Sequence, residues 1–146
     1  MREKKTLTLE EARIAGEAVI RECQSIGGNP VAVAVVGEAG DLIYFARMDG
    51  VGYHVEQLAI NKAYTAAIFG RDTAEVQAHF RERQRQIVAY GNPARHTDLE
   101  GGVVLKMADG IVVGGIGVGG RKKAAVADKG IVDPELAKVG AKALGL

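Results

Sequence analysis

The chain has 146 residues, 47% of them apolar and 25% charged, with a net charge of +1. This is ordinary composition for one globular domain, here spanning 1–146, and its near-neutral balance excludes an electrostatic case for nucleic-acid or anionic-membrane partners. The lone Cys23 has no internal disulfide partner, no apolar run is long enough to span a bilayer, and no apolar segment follows the charged start MREKK, so a cytoplasmic protein is expected.

A helix is predicted over 8–26. Thr8 with Glu11 three residues later forms a capping box, and Leu9, Ala12, Ala15, Val19, Cys23 and Ile26 recur at helical spacing to give a core face. Gly27-Gly28-Asn29-Pro30 ends it. Val31–Val36 is a β-branched apolar run that reads as a strand buried on both faces, and Leu42–Met48 is its antiparallel partner across the turn at 38–41. The helix after Gly52 carries a small face of Ala59, Ala63, Ala66, Ala67 and Gly70, suited to close packing. Asp72 or Thr73 caps the next helix, whose buried side is Val76, Phe80 and Ile87 and whose run 81–86 reads as a solvated basic face.

A loop is expected over 89–102, followed by a second hairpin. Its strands are 103–108 and 111–118, joined through Asp109-Gly110. Gly114, Gly115 and Gly117 interrupt the second strand, which signals a bulge or a close approach by another element. The literal pattern Gly115-x-Gly117-x-x-Gly120 is not expected to be a dinucleotide site, because it lies partly within a hairpin strand and 26 residues remain after it for the helix and acidic residue of a βαβ unit. Residues 122–128 suggest a short helical turn, and Pro134 opens the last helix, with Leu136, Val139, Ala143 and Leu144 facing inward. The order α-β-β-α-α-β-β-α gives an α+β fold with helices packed on an antiparallel sheet.

The stretch from Arg47 to Thr73 holds the most suggestive polar cluster: Arg47, Asp49, Tyr53, His54, Glu56 and Lys62. His54 stands at a strand-to-helix junction, well placed for a ligand, a metal or a proton. His96 lies on the 89–102 loop. If that loop folds over the start of the Gly52 helix, His54, His96 and a carboxylate (Glu56, Asp98 or Glu100) could together hold Fe, Zn or Mn, or act as acid and base. Backbone amides after Gly119, with Lys122 and Lys123, could hold a carboxylate or phosphate.

The residues Arg47-Met48-Asp49-Gly50, Ala59, Lys62-Ala63, Thr65-Ala66, Thr73, Gly114 to Val118 and Gly120 resemble the GlcG/HbpS-type domain, also called the haem-degrading domain, and the similar C-terminal domain of PduO. The resemblance runs over roughly residues 8–144. It implies a profilin-like α/β/α sandwich with a central antiparallel sheet, assembly as dimers or larger homo-oligomers, and binding of haem or a related tetrapyrrole or a role in small-acid catabolism. Two departures stand out. The family's proline before the last hairpin is missing in Gly101-Gly102-Val103-Val104-Leu105, and Gly119-Gly120-Arg121-Lys122-Lys123 is basic where the family carries acidic residues.

Two functions remain in view. In the first, haem sits near the start of the Gly52 helix, with His54 as axial ligand and Arg47, Lys122 or Lys123 on its propionates, the cluster of Asp49, Tyr53 and Lys62 lining the site. In the second, His54, His96 and Glu56 form a catabolic site for a carboxylated metabolite, for isomerisation, decarboxylation or metal-assisted hydrolysis or ring cleavage. The scarcity of aromatic residues counts against a large pocket within one chain.

Overall fold

The computed structural model describes residues 1–122 and 125–146. Helix α1 (Leu9–Ile26) starts where the capping box predicts. Thr8 Oγ1 accepts from the Glu11 amide at 3.2 Å, and Glu11 Oε2 accepts from the Thr8 amide at 2.8 Å. Ala12, Ala15, Val19 and Cys23 are buried as expected, but Leu9 is 66% exposed. Helical side chains lean toward the N-terminus, so the first residue of α1 reaches past the layer it should cover.

Four strands form one antiparallel sheet: β1 (Ala32–Gly37), β2 (Leu42–Arg47), β3 (Gly102–Lys106) and β4 (Val112–Gly119), in the order β2-β1-β4-β3. Every residue of β1 is buried, which matches its unbroken apolar sequence. Helices α1 and α4 (Asp133–Ala143) cover one face of the sheet, through Ala15, Val19, Leu136 and Ala137 against Val33, Val35, Ile116 and Val118. Helix α2 (His54–Phe69) covers the other face, through Ala59, Ala63 and Ala67 against Ala32, Ala34 and Val36. The result is the expected α/β/α sandwich.

The glycines of β4 and the alanines of α2 explain each other. A Cβ at Gly115 would collide with the Ala63 carbonyl, and one at Gly117 with the Ala59 carbonyl. Helix and strand therefore meet backbone to backbone, and an alanine at Gly117 would cost on the order of 1–3 kcal/mol by forcing them apart.

Helix α3 (Thr73–Glu82) is shorter than the sequence suggests. The chain turns at Gln84, where φ is 51°, and this brings Ile87 back onto Val76 and Phe80. The run 81–86 is thus only partly helical. At the start of α3, Asp72 makes no side-chain cap. Its Oδ1 instead accepts from the Val104 amide at 2.9 Å, and Thr73 Oγ1 accepts from the Gly102 amide at 2.9 Å. These two side chains terminate the open edge of β3.

Candidate functional site

Helix α2 starts at the end of the Gly50-Val51-Gly52 turn, and no side chain caps its first turn. A cleft of about 350 Å³ opens there; Pro30, Val55 and Leu58 give it apolar surface, His54 and Lys122 are its exposed charged or titratable groups, and Asn29, Arg121 and Asp133 line it as well. His54 is exposed and makes no hydrogen bond among the described residues. A Cβ on Gly52 would stand 3.0 Å from His54 Cε1 and 3.2 Å from Nδ1, so glycine at this position leaves the imidazole room to turn toward a ligand. Lys122 is also exposed, on the opposite wall.

A network of buried charges supports the cleft, and Arg121 and Asp133 of that network line it. Asp128 accepts from the Asn29 amide at 2.7 Å, from Asn29 Nδ2 at 2.9 Å, from Arg121 Nη1 at 2.8 Å and from the Lys122 amide at 2.8 Å. Burial alone would raise this carboxyl, but the hydrogen bonds from Asn29, Lys122 and Arg121 outweigh it and hold Asp128 well below the usual carboxylate range. The other arm of Arg121 donates to Cys23 Sγ at 3.2 Å. One carboxylate thus ties the Asn29-Pro30 wall to the Arg121-Lys122 wall.

A second buried pair lies nearby. Lys62 Nζ donates to the Val118 carbonyl at 2.8 Å and to Asp133 Oδ2 at 3.0 Å, while Asp133 Oδ1 accepts from the Arg121 amide at 2.9 Å. Burial raises the Asp133 carboxyl above its ordinary value despite Lys62. Lys62, expected beside the ligand, is only 3% exposed and fastens the end of β4 to the start of α4.

The remaining sequence candidates separate. Arg47 pairs with Glu56 and lies over the Tyr53 ring at 5.4 Å, forming an exposed triad outside the cleft. Asp49 borders a different cleft, between α1 and β2. Lys123 lies outside the described residues. His96 does not join His54. Its ring packs on Tyr64 and Phe69, at centroid distances of 5.5 and 5.6 Å. Tyr64 is roughly 15 Å along the helix axis from His54, at 1.5 Å per residue. The loop folds over the second half of α2, not its start: Asn61 Nδ2 donates to the Ala94 carbonyl at 3.1 Å, and Thr65 Oγ1 accepts from the Thr97 amide at 3.0 Å. Among the described residues no group of three or more His, Cys, Asp or Glu is placed to hold a metal ion. The donor set His54, His96 and Glu56 is therefore not assembled within one chain.

Sequence reasoning missed Arg121, Asp128 and Asp133 as determinants of the cleft. Asp133 was legible only as the residue before a helix-opening proline, and Asp128 carried no local signal, because its partners are 99 positions away at Asn29 and six and seven positions away at Lys122 and Arg121.

No described helix is long and apolar enough to cross a membrane. The family model described as "Haem degrading protein HbpS-like" matches residues 7–133. A double mutant of HbpS from Streptomyces reticuli is similar in structure, with a TM-score of 0.81 at 31% identity, covering 100% of this chain and 92% of that one. The protein ORFY of Klebsiella pneumoniae gives a TM-score of 0.82 at 22% identity, covering 99% and 94% of the two chains. A PduOC:heme complex gives 0.76 at 21% identity, covering 94% of each. No curated protein matches the chain.

Proposed function

The chain belongs to the HbpS-like haem-degrading family, and from that premise we propose that it is a small-ligand-binding protein that takes haem or a related tetrapyrrole in the cleft at the start of α2. The observation that carries this reading is His54: an exposed imidazole, free of hydrogen bonds among the described residues, at the mouth of a cleft with an apolar wall. The residues present suit the group. His54 would hold the iron, Pro30, Val55 and Leu58 would supply apolar contact, and Lys122 would meet an anionic substituent. The iron, when bound, supplies whatever redox chemistry follows; the chain supplies the ligand, the wall and the charge.

The cleft lies near the lower end of the roughly 300–1,000 Å³ common for small-molecule sites. A cleft of this size would cover only part of a tetrapyrrole, and a second copy of the chain in a homo-oligomer would complete the wall. The acting unit is the single domain 1–146. A catabolic reaction run jointly by His54 and His96 is not favoured, because the loop carrying His96 lies over the other half of α2.

The test is a hemin titration followed by absorbance on the wild type, His54→Ala and Lys122→Glu. The wild type should give a saturable Soret shift, lost or moved in His54→Ala and weakened in Lys122→Glu. A wild type that shows no shift beyond free hemin ends the haem reading, and an unaltered band in His54→Ala moves the site elsewhere.

A further inference from the structure

A second cleft, independent of the one at His54, lies on the other side of the molecule's β2 segment. It is larger, about 540 Å³, and runs between α1 and the outer part of β2. Its floor is apolar: Ile20 from α1, and Tyr44, Ala46 and Met48 from β2 and the residue after it. The floor is also firm. Tyr44 packs so closely on α1 that a Cβ at Gly16 would strike its ring, and the Met48 amide donates to the Val31 carbonyl at 3.0 Å while Met48 Sδ accepts from the Val31 amide at 3.5 Å.

The charges around this floor divide into two kinds. Glu17 is taken by Arg13, at 2.9 Å, and Arg47 is taken by Glu56 and Tyr53. Arg21, on α1, and Asp49, past the end of β2, have no hydrogen bond or ion pair among the described residues. An unengaged guanidinium and an unengaged carboxylate thus border one apolar floor, each on a different element.

From this arrangement we infer that the α1–β2 cleft is a second binding site, for a flat apolar molecule with a carboxylate at the Arg21 end and a hydroxyl or amine donor at the Asp49 end. The apolar body covers Ile20, Tyr44, Ala46 and Met48. The guanidinium offers a fork of donors to the carboxylate, and Asp49 accepts from the donor at the other end. The same Asp49 repels an anion, so the orientation of the ligand is fixed by charge.

The test uses hydroxynaphthoate, with its hydroxyl and carboxylate on opposite rings, titrated into methyl-labelled protein and followed by NMR. Saturable shifts are expected at the methyls of Ile20, Ala46 and Met48. Arg21→Glu, on the exposed side of α1, should weaken this probe by about tenfold or more, as loss of a charge-assisted pair predicts. The analogue with an alcohol in place of the carboxylate should bind wild type and Arg21→Glu alike. Asp49→Ala should abolish the preference for hydroxynaphthoate over naphthoate. His54→Ala should leave all of these affinities unchanged, so the haem reading and this one can fail separately. Shifts centred on Val55 and Leu58, absence of saturation, or equal affinity in Arg21→Glu would each overturn the inference.

Discussion

His54 and His96 both stand against helix α2, and the helix treats them in opposite ways. At its start, His54 is exposed, uncommitted among the described residues, and given room by Gly52. Over its second half, His96 is wedged between Tyr64 and Phe69, with Nδ1 buried and without a hydrogen-bond partner. Arg95 beside it stacks on Tyr64 at 4.0 Å and donates to the Gly40 carbonyl at 3.1 Å, so the whole loop is fastened down. The difference teaches that residue type alone does not mark a binding group. One histidine leaves its ring nitrogens without partners among the described residues, while the other spends its ring on packing and holds a loop in place.

The strongest way to break this contrast is to remove the support behind His54. Asp128→Ala leaves Arg121 buried without its carboxylate, and is expected to cost about 3–5 kcal/mol, measured by urea denaturation. Hemin binding should weaken in any fraction that folds, although His54 is untouched, because the Asn29 and Lys122 walls lose their common tie. Next in size is His96→Ala. Loss of the ring from between Tyr64 and Phe69 should cost roughly 1–3 kcal/mol in the same assay and leave the hemin midpoint where it was. If hemin binding falls with it, the division of roles between the two ends of α2 is wrong.

Acidity sharpens the contrast from the same side. Burial, helped by the Arg95 charge, holds His96 below its ordinary value of 6.5. The unfolded chain therefore takes up this proton first as pH falls. The stability tied to neutral His96 is fully present above 6.5 and is lost as pH drops from there toward the folded value. Stability measured against pH should decline over that window, and His96→Phe should flatten the decline. The smallest stability effect belongs to His54→Ala. It should shift unfolding by no more than about 0.5 kcal/mol, as for other exposed positions, while carrying the largest effect on hemin. A marked loss of stability would mean that His54 is a structural residue.

Much of the framework was readable before the structure. The capping box of Thr8 and Glu11, the unbroken apolar run of β1, the Asp109-Gly110 hairpin and the small face of α2 are all local patterns, and each produced its element. The glycines of β4 were legible as a close approach, and α2 is what approaches. The end of α3 was not legible, because Ile87 is drawn back to Phe80 by packing that helix propensity does not register. The site was legible only in part. His54 and Lys122 share a cleft, but Lys62 proved to be fastened to Asp133, and Arg47 and Glu56 to each other.

The sequence by itself determined which segments become helix and strand and which faces they bury, since spacing at two or at three to four residues decides those from near neighbours. It also carried the family pattern. Only the tertiary structure decided which charged groups are spent and which are free. Pairing depends on partners such as Asn29 and Asp128, or Lys62 and Asp133, that lie far apart in the chain and meet only when the sheet, α1 and α4 have closed around them. The availability of a side chain is a property of its surroundings, and those surroundings exist only in the folded protein.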